Sequence, residues 1–486
     1  MRGPEFLYRN VPGIHAITHG NPFIGVVLLA TFLSMPCLAV FQLRTFVDSL
    51  VSFFCTAALL VLDPARRQAL TQFDAAAYWV AAGGLVVLPL VLWYMHRRWY
   101  FWQHAGASKE AHGLLRRTVL VMTQSKQAYV GIAIIMVITA FAIVAPFIVS
   151  WSPFHFQDGT ITQFCPPLHS VMALSLKPPV NQEPHASISA DGSLTDRLYR
   201  TALSADSRLE NGHGRYVMHI TSYRVAGDSV YAKAGDRQFA LPLSSLSSTD
   251  PSVFIVQEKH IFGTDSYGRD LLSRILHGAR VSLALSVVAV LLSAILGTII
   301  GLAAGYFGGH IDSVLMRFVD MMLAFPSFFL ILICIAMFEA LPVPRLSLIM
   351  IIIGVTSWMG VARLVRSETL SIKERSFVRA AKALGIGHAR VLFLHILPNT
   401  LSTVIVNTAL RIGGIILLES ALSFLNLGVQ PPTPSWGNIV YEGKDFISTA
   451  WWISTIPGLI IAITVIAFNL AGDGLRDAIN PMRVEK

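Results

Sequence analysis

The chain has 486 residues, 54% of them hydrophobic and only 13% charged, about half the charged share of an average soluble domain. That balance excludes water as its main solvent. The formal net charge of +9 does not point to nucleic acid, because the basic residues gather between apolar runs and form no basic-aromatic face. Cys37, Cys55 and Cys334 lie in apolar runs and only Cys165 lies in a polar region, so no disulfide framework is evident.

A lipid core of about 30 Å offers the backbone no hydrogen-bond partners, so spanning segments are helices or closed barrels, and runs of this length are too long for barrel strands. The predicted class is therefore an all-α polytopic membrane protein. Arg2 and Arg9 precede an apolar stretch, but Leu33-Ser34-Met35-Pro36 before Cys37 makes no convincing cleavage site, and the stretch is expected to stay in place. Eight segments are long enough to span: 23–41, 76–95, 128–149, 281–304, 321–338, 346–362, 402–423 and 452–471. A ninth, 46–62, is short and contains Asp48; spanning, re-entrant and interfacial placements all stay open.

Between 149 and 281 lies the longest polar stretch, about 150–257. Tyr216 to Val225, Ser229 to Lys233 and Gln238 to Leu241 read as strands, joined by turns at Ala226-Gly227-Asp228 and Ala234-Gly235-Asp236. A small β-containing insert is expected, with a solvated loop as the alternative. The loop after 362 carries Arg363, Arg366, Lys373, Arg375, Arg379, Lys382 and Arg390 against Glu368 and Glu374, which predicts a cytoplasmic loop, a cytoplasmic C-terminus and an external 150–257. The side of the N-terminus depends on 46–62.

No phosphate-binding loop occurs; Gly443-Lys444 lacks both the preceding glycine spacing and the following hydroxyl. No metalloprotease or serine-hydrolase motif is present, and the fifteen histidines are scattered. No catalytic residue, no metal and no cofactor is assigned to this chain.

The informative segment is Arg379-Ala380-Ala381-Lys382-Ala383-Leu384-Gly385, followed by His395-Ile396-Leu397-Pro398-Asn399. It resembles the cytoplasmic signature of binding-protein-dependent ABC importer permeases, in which E-A-A is followed by a glycine and then by an isoleucine and L-P. Ala380, Ala381, Gly385, Leu397 and Pro398 match in register, whereas Arg379 replaces the Glu and His395 the Ile. The ending is similar to the dipeptide and oligopeptide (peptide/nickel) branch. So are Phe262 to Asp270, Gly278 to Leu283, Gly301 to Gly309, Leu422 to Gly437 and Gly472 to Asp477, except that Asn426 stands where that branch has Gly.

From the residues themselves, Ala380, Ala381 and Ala383 make a low helical surface onto which a partner can press, and Gly385 suits a left-handed helix end. A second short helix is expected from His388 to Ile396, ended by Pro398. Gly297, Gly301 and Gly305 have small-xxx-small spacing suited to close helix contact, or are merely permissive. Arg411 and Glu419 are ionisable groups inside a span; lining the pathway and satisfying a partner at a permease interface both stay open.

The resemblance implies a six-span permease core comprising 128–149 and 258–486, with a coupling loop at 363–399; the N-terminal extension 1–127, which adds two or three spans, and the external insert 150–257, far longer than the usual loop, do not fit that compact pattern. It implies a multi-pass protein of the bacterial inner membrane that moves peptides or similar small solutes. It also implies a homologous second permease subunit, two ATPase subunits holding ATP and Mg, and an extracytoplasmic solute-binding protein. Nickel or another solute, and a non-transporting scaffold or sensor, are the alternatives. The implied coupling residues are Arg379, Ala380, Ala381, Gly385, His395, Leu397 and Pro398.

Overall fold

The computed structural model describes residues 126–149, 161–177, 217–340 and 343–479, with residues 29, 47–52, 55–56 and 89 besides. Of the predicted spans 23–41 and 76–95 only residues 29 and 89 are described, of the candidate 46–62 only 47–52 and 55–56, and the rest of the extension up to residue 125 lies outside the described residues. Contacts divide the chain into two compact units, one of residues 1–106, 137–278 and 442–456, the other of 107–136, 279–441 and 457–486.

The first helix described from end to end, α1 (Lys126–Ile148), is apolar on all sides, as a helix facing lipid and protein together must be. The insert then contributes β1 (His169–Ser175), β2 (Val217–His219), β3 (Ser222–Ala226), β4 (Ser229–Ala234), β5 (Arg237–Pro242), a single turn α2 (Pro251–Phe254) and β6 (Ile255–His260). These form two antiparallel three-stranded sheets, in the orders β2-β1-β6 and β3-β4-β5. Gly227 and Gly235 take left-handed φ of 61° and 59° at the predicted turns. The predicted strand from Tyr216 to Val225 is in fact two strands in different sheets, interrupted at Ile220-Thr221. Alternation on β4 buries Val230, Ala232 and Ala234, and Val230 and Ala232 share a core with Leu174, Ile220, Leu246 and Phe254.

In the same unit, four charged side chains make a closed ionic network. Asp265 accepts from Arg269 Nε at 2.6 Å and from Arg274 at 2.7 Å, and Glu442 accepts from Arg269 at 2.6 Å and from Arg274 NH2 at 3.0 Å. Asp265, Arg269 and Arg274 are all buried. Two cations and two anions cancel, which is the condition under which buried charge is tolerated.

From Leu271 the chain enters α3 (Leu271–Phe307), a helix of 37 residues, about 55 Å at 1.5 Å per residue. It is followed by α4 (Gly309–Ala324), α5 (Ser327–Phe338), α6 (Arg345–Thr356), α7 (Met359–Lys373), α8 (Ser376–Ala383), α9 (His388–Arg390), a π-helical stretch over Val391–Ile396, α10 (Leu397–Phe424), α11 (Trp436–Gly443) and α12 (Trp452–Ile479). Among the described residues five helices are long and apolar enough to cross a membrane, or six if the bent pair α4 and α5 is one span.

That bend corrects the predicted span 321–338. The helices meet at 88°, because Pro326 has no N–H to continue the ladder and its ring drives Phe325 into an extended conformation with ψ of 134°. Elsewhere, glycine sets the spacing. A Cβ on Gly297 would lie 2.5 Å from that of Val361, one on Gly301 2.7 Å from that of Val365, and one on Gly305 2.7 Å from that of Thr369. The i, i+4, i+8 stripe of α3 therefore seats directly on the matching stripe of α7. A Cβ on Gly131 would lie 2.7 Å from Ala471 N, which draws α1 onto α12 in the same way.

Candidate functional site

The stretch between α7 and α10 is built from short pieces. On α8, Val378 and Ala381 are buried while Phe377, Arg379, Ala380, Lys382 and Ala383 are exposed. The helix ends in a Schellman cap: Ile386 N donates to Ala381 O at 3.2 Å, Gly385 N donates to Lys382 O at 3.0 Å, and Gly385 has φ of 76°. A Cβ there would meet no atom within 4 Å, so the glycine answers a conformational need and not a steric one.

Ala381 faces inward, into a cluster with Leu302, Tyr306, Val365, Val378, Val391 and Ile396. It is thus a packing residue, and only Ala380 and Ala383 of the three alanines form the outward surface. Sequence reasoning missed the apolar character of that surface. Leu384 is 81% exposed, and Phe377, Phe393 and Leu394 are exposed too.

Pro398 does not end a helix. The chain runs helically from His388 to Phe424, and the π-helical stretch just before Pro398 absorbs the missing donor: Leu397 N reaches back five residues to Leu392 O. Asn399 Nδ2 donates to His395 O at 2.7 Å, while the His395 ring lies 6.5 Å from that of Phe377. Leu397 packs against the cluster that holds Ala381. Arg379 pairs loosely with Glu374 at 3.4 Å, both exposed, a geometry of little energetic weight.

Further along α10, Glu419 is fully buried and accepts from Ser423 at 2.8 Å and from Ser282 at 3.4 Å. Ser282 Oγ in turn accepts from Trp436 N at 3.2 Å. Glu419 therefore ties α3, α10 and the start of α11 together. Arg411 differs. It is half-buried, donates to Ser357 O at 2.9 Å, and lines a cleft of about 460 Å³ with Ser327, Thr356, Gly360 and Gly414.

Residues 297–484, which hold α8, Arg411 and Glu419, match the family described as binding-protein-dependent transport system inner membrane component. The dipeptide transport system permease protein DppC of Alkalihalophilus pseudofirmus is 44% identical over 243 residues, 50% of this chain and 79% of that protein. The chain belongs to the binding-protein-dependent inner-membrane permeases. The oligopeptide transport system permease protein OppC of Haemophilus influenzae is 40% identical over 46% of this chain and 70% of its own length. The di/tripeptide permease DppC of Pseudomonas aeruginosa is 41% identical over 46% and 73%.

Asn426 stands where the resemblance leads one to expect Gly. Its φ is 62°, the left-handed region that glycine enters most readily and that asparagine tolerates best among the other residues. The substitution therefore keeps the conformation. The sheets of the insert precede residues 297–484.

Proposed function

We propose that this permease is one membrane subunit of an ATP-driven importer for peptides or similar small solutes. The substrate class is supported by its relatives, which are dipeptide, oligopeptide and di/tripeptide permeases. In this reading a second, homologous permease completes the pathway, two ATPase subunits with ATP and Mg supply the energy, and an external binding protein delivers the solute. Loop 363–399 and the C-terminus face the cytoplasm and 150–257 faces outward, as the clustering of arginine and lysine favours. The extension 1–127 is an accessory to this core.

The observation that carries the reading is the exposed apolar surface of the coupling segment. Leu384, Phe377, Phe393 and Leu394 stand out to solvent from a stretch that also carries Arg379, Lys382 and Arg390, and apolar groups so placed mark a protein-binding surface. Segment 377–398 is the ATPase-docking element, with Ala380 and Ala383 allowing close approach and Arg379, Gly385, His395, Leu397 and Pro398 shaping it. Uptake of a radiolabelled dipeptide by vesicles containing the assembled complex, with its binding protein and ATP, tests this. ATP-dependent accumulation is expected; its absence with an intact complex would refute the assignment.

A further inference from the structure

We infer that Arg411 recognises the carboxylate of the transported solute inside the membrane. The inference rests on the importer reading above and names the chemistry of its pathway.

Arg411 lies midway along the predicted span 402–423, where a permanent cation is costly and is kept only for a partner or a function. Among the described residues its hydrogen-bond partner is a single carbonyl, Ser357 O at 2.9 Å from NH2. A guanidinium has five N–H donors in a planar fork, so most of the fork stays available. The carbonyl it engages lies at the break between α6 and α7, which fixes where the fork points.

The surroundings are cleared for a ligand. A Cβ on Gly360 would come within 3.2 Å of Arg411 NH1, whereas one on Gly414 would meet nothing within 4 Å. Glycine on one side gives the guanidinium room, and glycine one turn further along α10 leaves the cleft open. Ser327 stands at the start of α5, just past the Pro326 break, and lines the same cleft as Thr356 and Ser357. The site is thus an apolar cleft of about 460 Å³ with one cation and a few hydroxyls, the usual make-up of a small-molecule site. The planar fork fits a carboxylate bidentately, and such charge-assisted pairs are about twice as strong as neutral hydrogen bonds.

The test compares uptake of a dipeptide carrying a free C-terminal carboxylate with uptake of its C-terminal amide, in vesicles with the complete complex. Discrimination by the binding protein is the same for every permease variant and cancels when the acid-to-amide ratio of Arg411→Gln is divided by that of the wild type. The ratio is expected to fall about tenfold in Arg411→Gln and to recover in part in Arg411→Lys. An unchanged ratio, with both substrates slowed equally, would overturn the inference. So would loss of the second permease from complexes purified from both variants, which would make Arg411 an interface residue. If the wild type moves neither compound, the importer reading fails instead, and that outcome is visible before any variant is made.

Discussion

Tyr306 and His388 are joined by a hydrogen bond of 2.7 Å between phenol oxygen and Nδ1. Tyr306 belongs to the last turn of α3, and His388 opens the helical run that leads into α10. The same turn is held by Lys382 of α8, whose Nζ lies 4.7 Å from the Tyr306 ring centroid, and by Lys373, which donates to Gly305 O at 2.9 Å. Cations at a helix C-terminus are favoured by the helix dipole. A push on α8 is therefore delivered to the end of a helix 37 residues long.

Loss of that link is predicted to uncouple before it unfolds. Tyr306→Phe keeps the ring under Lys382 and removes one hydrogen bond, at a cost of about 1 kcal/mol. Tyr306→Ala also empties a buried site, at roughly 3–5 kcal/mol. Co-purification with the ATPases should survive in Tyr306→Phe while substrate-stimulated ATP hydrolysis drops severalfold. Equal hydrolysis in Tyr306→Phe and the wild type would remove Tyr306 from the transmission path.

The glycine stripe of α3 gives a stability prediction. Gly301→Val forces side-chain atoms into Val365 and the Ala362 carbonyl, which a Cβ alone would approach to 2.7 Å and 2.6 Å. Overpacking of this kind costs about 1–3 kcal/mol. Gly458→Ala is the control, since its Cβ would meet nothing within 4 Å. Thermal unfolding in detergent should show a lowered transition for the first and an unchanged one for the second.

Asp265→Asn removes one anion from the network with Arg269, Arg274 and Glu442 and leaves a buried cation uncompensated, at about 3–5 kcal/mol. Limited proteolysis of the insert should accelerate accordingly. Protection equal to the wild type would mean that the network does not hold that unit together.

Much of this was readable because its causes are local. Alternation and Gly227 and Gly235 marked the hairpins of the insert, and Gly385 marked the left-handed end of α8. Other features depend on tertiary partners. Ala381 differs from Ala380 only in the face that meets Tyr306 and Val391, and nothing in an alanine-rich octet of residues says which face that is. Pro326 and Pro398 are the same residue in apolar surroundings, yet one bends the chain by 88° and the other is absorbed by a π-helical turn. The strands over His169–Ser175 and Ile255–His260 pair with each other across most of the insert, a contact that no short window reveals.

The external placement of the insert is tested by Asp236→Cys, at an exposed turn, in a chain with Cys37, Cys55 and Cys334 replaced. Cys165 is buried, and desolvation raises its thiol pKa above the usual range despite a hydrogen bond with Thr264 that lowers it. A thiol with a raised pKa holds less thiolate at neutral pH, so background labelling should be weak and should grow as the pH rises. An impermeant maleimide is expected to label the introduced cysteine in intact spheroplasts; labelling only after lysis would invert the topology.

The central claim, that segment 377–398 passes nucleotide-driven motion to the permease, is tested most directly by substrate-stimulated ATP hydrolysis and uptake measured together in reconstituted vesicles. Leu384→Asp and Ala380→Glu alter the outward surface alone, and Gly385→Val strains a left-handed position by about 1–3 kcal/mol, whereas Gly385→Asn keeps it. The account predicts that the first three lose hydrolysis and uptake in parallel at unchanged membrane insertion, while Gly385→Asn retains most of both. Wild-type coupling in Leu384→Asp and Ala380→Glu, with the ATPases still bound, would contradict it.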